Sequence, residues 1–166
     1  MLYPTSLFSQ VLGLISKPDF YKNVRELKAD KASKGFSCWD QFVSMLFCQL
    51  AQAKSLREIC YGLHCCLGKL VHLGVSSGPK RSTLSYANAH RPWQLYQKTF
   101  YDLLQICRAV SPGKKKKFRF KNKLLSLDAS TIELCARMFD WAKFRQTKGA
   151  VKLHMLLDHD GGCFMI

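Results

Sequence analysis

The sequence predicts a mainly α protein in which a helical region gives way, near residue 124, to the first strands of a sheet. Three observations carry that prediction. From Leu7 to Val110 the apolar residues recur at the spacing of one helix face. From Val151 to Leu157 they alternate in steps of two, the strand period. Between these regimes, Gly113 to Leu127 contains no acidic residue, while Lys114, Lys115, Lys116, Lys117, Arg119, Lys121 and Lys123 supply seven positive charges, which marks a boundary.

Taken in order, Leu7, Phe8, Val11, Leu12 and Ile15 share a face and predict a short opening helix, broken by Lys17-Pro18-Asp19. In WDQFVSMLFCQLAQA, Trp39, Phe42, Val43, Leu46, Phe47 and Leu50 predict a core helix over 38–53, with Gly35 and Ser37 as entry signals. Ser55, with Glu58 three residues on, has the capping-box arrangement, and Leu56, Ile59, Cys60, Leu63 and Leu67 extend a second helix over about 55–68. After the loop HLGVSSGPK, RSTLSYANAHR reads as a short polar helix over 81–91 with Ser82 capping its first turn. Pro92 restarts the chain into a long helix whose face is Trp93, Tyr96, Phe100, Leu103, Leu104 and Cys107, ending near Val110. KLLSLDAS is a short apolar strand ending at Asp128, and VKLHMLLD is an alternating one. His159-Asp160-Gly161-Gly162 supplies hairpin-turn chemistry, and CFMI begins another strand, so the chain is expected to stop mid-sheet.

A chain of 166 residues accommodates one ordinary domain, or a compact domain and part of another. Apolar residues at 48% exclude a mostly disordered chain. The apolar runs fall short of the roughly 20 residues a membrane span needs. The opening MLYPTSLFSQVLGLISK lacks the basic region and cleavage site of a secretory signal, so a cytoplasmic location without a membrane partner is expected. Lys and Arg outnumber Asp and Glu by 26 to 11, and a charge of +15 calls for an anionic partner, of which nucleic acid is the first candidate. The eight cysteines follow no paired spacing and lie mostly among apolar neighbours, as reduced thiols do.

Asp128, on a strand, is the residue type a two-metal site needs, an oxygen ligand held rigidly. An Asp before Ala-Ser-Thr equally serves as a turn former or cap. Asp158 and Asp160 read as hairpin-turn residues, and Glu133 and Asp140 as solvated. The helices over 55–68 and 81–91, joined by a Gly-containing loop, have the layout of a helix-turn-helix, with Arg81, Ser82, Thr83, Ser85, Asn88, His90 and Arg91 facing DNA. The alternative is a polar face on a helical bundle. The run Lys114 to Lys117, with Arg119, Lys121 and Lys123 and the flanking Phe118 and Phe120, suits phosphate neutralisation or a solvated linker. Cys60, His64, Cys65, Cys66 and His72 invite a zinc reading, but their spacing matches no common zinc module.

The segments GFSCWDQFVSMLFCQLAQAKSLREI, GKLVHLG, RSTLSYANAHRPWQLY and LLSLDASTIELC…FDWAKFRQTKGAVKLHMLLDHDG, in that order, resemble bacterial insertion-sequence DDE transposases of the cut-and-paste kind. Residues 1 to about 75 resemble the uncharacterised helical domain at the amino end of those enzymes. Residues 76–112 continue the helical region with its recognition helix, 113–123 form a basic linker, and 124–166 resemble the start of a ribonuclease-H-like catalytic domain. The resemblance implies that Asp128 is the first metal-binding carboxylate, that Mg²⁺ is the cofactor of the parent enzyme, and that the partner is double-stranded DNA at the element's terminal repeats. It allows a second copy of the chain or a full-length transposase as protein partners, and a location at the bacterial nucleoid. The second Asp and the Glu of that family lie beyond Ile166, so this chain is expected to bind DNA without completing the active site or holding Mg²⁺ stably. Two other readings share the residues: a non-catalytic DNA-binding remnant or inhibitor of transposition, and a basic helical RNA- or protein-interaction module.

Overall fold

Serine side chains start the first four helices. Ser6, Ser16, Ser37 and Ser55 each accept the backbone N–H three residues on, at 3.2, 3.4, 3.1 and 3.2 Å, and so open α1 (Leu7–Gly13), α2 (Lys17–Glu26), α3 (Cys38–Leu50) and α4 (Leu56–His64). At α3 the capping box is complete, because Asp40 accepts the Ser37 N–H at 2.8 Å. At α4 the Glu58 carboxylate accepts the N–H of Lys54 instead, at 2.8 Å. The computed structural model describes residues 6–31, 33–66, 69–110, 124–134, 143–145, 148–158 and 163–165.

Several boundaries differ from the sequence prediction. Helix α2 stands where a break was predicted: Pro18 lies in its first turn, where a missing N–H costs nothing, and Phe20, Asn23 and Val24 form its buried stripe. Helices α2 and α3 end in left-handed residues, Lys28 (φ 50) and Gln52 (φ 52), and the next N–H groups turn back to the carbonyls of Val24 and Cys48, both at 3.0 Å. That closure stops α3 at Leu50. A 3-10 turn, Lys69–Leu73, follows α4 and closes on Gly74, whose φ of +74 would strain any residue with a side chain. Helix α5 spans Arg81–His90 and α6 spans Gln94–Val110. The N-cap of α5 is Lys80, without a side-chain bond, so Ser82 lies inside the first turn and is not the cap.

The chain divides into two compact units, Met1–Tyr101 and Asp102–Ile166. In the first, Phe20, Trp39, Val43, Ile59, Leu63, Leu70, Val75, Leu84 and Leu95 form the buried core. The Phe20 ring meets Trp39 edge-on at 5.2 Å, and the indole N–H of Trp39 donates to the Leu73 carbonyl at 2.8 Å, so the largest core side chain is also hydrogen-bonded. The buried side of α6 is Leu95 and Thr99, four residues apart. Trp93, predicted on that side, is 64% exposed. Lys98 pairs with Glu26 on the surface and holds that carboxyl below its ordinary range.

The second unit contains an antiparallel sheet of β1 (Leu125–Leu134), β2 (Lys143–Arg145), β3 (Lys148–Asp158) and β4 (Cys163–Met165). Strand β1 pairs along β3 from Leu125↔Asp158 to Leu134↔Gly149, while β2 and β4 pair with opposite ends of β3. The molecule is therefore mainly helical with a small antiparallel sheet near its end. Asp128 lies within β1, opposite Met155, rather than at the strand's end, and Leu127 beside it is 70% exposed. The predicted turn at 159–162 lies outside the described residues.

Candidate nucleic-acid interface

Helix α5 sorts its side chains by the 3.6 period. Leu84, Ala87 and Arg91, with Ala87 three and Arg91 seven residues after Leu84, share the inward side, and Asn88, four after Leu84, is exposed at its margin. Leu84 and Ala87 are buried. The Asn88 amide oxygen accepts from Gln41 at 2.7 Å, and its nitrogen lies 3.4 Å from the Met45 sulfur. The Arg91 guanidinium sits 3.3 Å from Asp30. It donates to the Ser37 carbonyl at 2.9 Å and the Gln41 amide oxygen at 3.1 Å. It also donates to the Phe36 carbonyl and lies over the Phe36 ring. With its side chain 10% exposed, Arg91 fastens α5 to α3 and the preceding loop. This corrects the prediction that Arg91 faces DNA. The reason is its position seven residues after Leu84, whereas Asn88 stays exposed while it accepts from Gln41.

The outward side is different. Arg81, Ser82, Ser85, Tyr86, Ala89 and His90 are exposed and, with Ser55, Leu56 and Arg57 from the start of α4, line an open groove of about 830 Å³. None of these nine residues is acidic and two are arginines, so the lining carries positive charge and hydroxyls beside the apolar Leu56 and Ala89, and the Glu58 carboxylate accepts from the Ser55 hydroxyl at 3.2 Å. The rings of Tyr86 and His90 stack at 3.9 Å with 19° between their planes. His90 Nδ1 lies 2.9 Å from the Tyr86 carbonyl, a distance that requires the proton on Nδ1, and this fixes the imidazole against the phenol. Thr83 points elsewhere: it is half-buried and lines a second cavity of about 430 Å³ with Lys34, His64 and Lys80. Arg81, Ser82, Ser85 and His90 of the sequence candidates thus line one groove, together with Tyr86 and Arg57, which the sequence reading did not single out. The signal for Tyr86 was its place four residues before His90 and four after Ser82.

The remaining sequence candidates separate from this groove. Lys114, Lys115, Lys116, Lys117, Arg119, Lys121 and Lys123 lie outside the described residues. Asp128 is exposed, and one of its carboxylate oxygens accepts the Ala129 N–H at 2.8 Å. Among the described residues no three His, Cys, Asp or Glu side chains gather as metal ligands. A divalent cation needs several oxygen donors, and among the described residues Asp128 has no such companions. Of the Cys–His cluster, Cys60 is buried, and His64 directs Nδ1 to the Cys60 carbonyl at 2.6 Å. Burial also pushes the Cys38 thiol up to about 12, with Asp30 adding to the shift.

Residues 4–76 match a domain of unknown function, DUF4372. That domain is found in transposase-associated proteins. It covers α1 to α4 and the 3-10 turn, and ends within the loop that leads into α5. Comparison with curated proteins and with solved structures gives no significant match. Among the described residues no helix is long and apolar enough to cross a membrane.

Proposed function

We propose that this chain is the DNA-binding portion of an insertion-sequence transposase and that the outward side of α5 reads duplex DNA. The observation that carries the reading is the groove, whose lining includes Arg57, Arg81 and the hydroxyls of Ser55, Ser82, Ser85 and Tyr86 but no acidic residue, on a chain of charge +15. A polyanion with hydrogen-bonding edges fits that surface, because arginine pairs with phosphate and guanine alike and serine bonds either donor or acceptor edges. The match of residues 4–76 to a domain of transposase-associated proteins supports the same reading. The lysines at 114–117 would neutralise phosphates without regard to sequence. Asp128, on the first strand of the antiparallel sheet, takes the role of first metal-binding carboxylate in the parent enzyme, whose Mg²⁺ supplies phosphodiester chemistry when a full ligand set is present.

The direct test is binding of the pure chain to a duplex bearing the terminal repeat of its element and to a scrambled duplex of equal length. The reading expects at least roughly a thousandfold preference for the repeat at physiological salt. Equal affinity for both duplexes would refute sequence reading by this chain.

A further inference from the structure

The Tyr86 ring is the apolar feature of the α5 groove that the charge argument leaves unexplained. It is 66% exposed on an otherwise polar helix surface, where a large apolar ring gains nothing from solvent. It is also held: His90 covers one face at 3.9 Å, and the His90 Nδ1 proton is tied to the Tyr86 carbonyl, so the ring presents its other face and its edge to the groove. Ser82 and Ala89, short side chains, line the same groove. The surrounding charge selects a polyanion, and within a B-form duplex the base faces are closed by stacking. Only base edges remain, and in the major groove the apolar group those edges offer is the C5-methyl of thymine.

We propose that Tyr86, with its ring braced by His90, is a specificity-determining residue that packs against thymine methyl groups in the major groove. The proposal rests on the duplex-reading role of α5. It assigns base selection to Tyr86 alongside Arg81, and withdraws it from Asn88, which is hydrogen-bonded to Gln41, and from Arg91, which is engaged by Asp30 and backbone carbonyls.

The experiment starts with the full chain selecting its preferred duplex from a random pool of about 20 base pairs, two turns of B-DNA. Affinity is then measured for the selected duplex, for the same duplex with every thymine replaced by deoxyuridine, and for a version carrying 7-deazaguanine. Deoxyuridine lacks only the methyl group, and losing one buried methyl should weaken the wild type about fourfold. Tyr86→Ala should bind both forms equally, and Tyr86→Phe should keep the wild-type difference. Tyr86 is exposed, so its variants should show the thermal midpoint of the wild type. If deoxyuridine leaves the wild type unaffected, if it weakens Tyr86→Ala as much as the wild type, or if the selected duplex consists of G·C pairs alone, the assignment of Tyr86 is wrong. The deazaguanine arm tests the underlying reading separately: it should weaken the wild type and leave Arg81→Ala unchanged. A chain that selects no duplex, or whose Arg81→Ala variant matches the wild type on all probes, would overturn both the duplex reading and the Tyr86 assignment.

Discussion

At Arg91 a single guanidinium meets the Asp30 carboxylate, two backbone carbonyls and the Gln41 amide oxygen while its side chain is only 10% exposed. Replacing it with Ala strands Asp30 and leaves partly buried acceptors unpaired, which should destabilise the helical unit by about 2–4 kcal/mol in denaturant unfolding. Arg91→Lys should recover little, since a point charge cannot serve acceptors spread around a planar fork. A loss below about 0.5 kcal/mol would place Arg91 on the surface after all. Cys38 provides a second test. Its backbone N–H donates to Asp30 at 2.8 Å, and burial and the Asp30 charge hold its thiol near 12, so thiolate is scarce at neutral pH. Iodoacetamide at about pH 8 should label exposed Cys65 and Cys107 well before Cys38, read by peptide mass. Fast labelling of Cys38 would contradict its burial. The inward turn of Arg91 was legible in principle from its spacing to Leu84. It was obscured because arginine also suits base recognition, and a polar side chain engaged inside a protein looks, in sequence, like one facing solvent.

The helices owe their boundaries to local chemistry that sequence exposes unevenly. Ser37 and Ser55, each followed three residues on by Asp40 or Glu58, announced the starts of α3 and α4. The ends were harder to see, because Lys28 and Gln52 occupy left-handed positions that glycine usually marks. Those positions predict a gain: Gln52→Gly removes the Cβ strain and should stabilise the protein by about 0.5–1 kcal/mol in thermal or denaturant unfolding, offset in part by unfolded-chain entropy. A destabilised Gln52→Gly would show that the Gln side chain makes an interaction worth more than the strain. Helix α2 was missed because its stripe is short and includes polar Asn23, and because Pro18 ends some helices and begins others. Strand β2, three residues long with two of them basic, has too few positions to display a period. On α6 the period was right but the buried stripe was only partly placed. Tyr96 of the predicted face packs against Phe42, whereas Trp93 and Phe100, which suggested the core by their size, are exposed and Leu95 and Thr99 are buried.

For the molecule as a whole, the order of elements was legible: helices, a basic stretch, then antiparallel strands. Long periodic segments determine element type even where their ends are displaced. The candidate site was legible by half, since charge and residue type pointed to the α4–α5 pair while the choice of side depended on packing. The proposed function divides the work, with base reading on the outward side of α5 and phosphate neutralisation on the lysine run. The two should respond differently to salt and to sequence. The measurement is a salt titration on the preferred duplex and on a scrambled duplex of equal length, for the wild type, Arg81→Ala, Asn88→Ala, and a variant with Lys114, Lys115, Lys116 and Lys117 changed to Gln. The lysine variant should weaken both duplexes alike and reduce the slope of log K against log salt by up to about 3–4, near 0.9 for each phosphate no longer neutralised. Arg81→Ala should cost about 1–3 kcal/mol on the preferred duplex and far less on the scrambled one, with little change in slope. Asn88→Ala should leave the preference intact. If Arg81→Ala weakens both duplexes equally, or if Asn88→Ala abolishes the preference while Arg81→Ala does not, the outward side of α5 is not the reading surface.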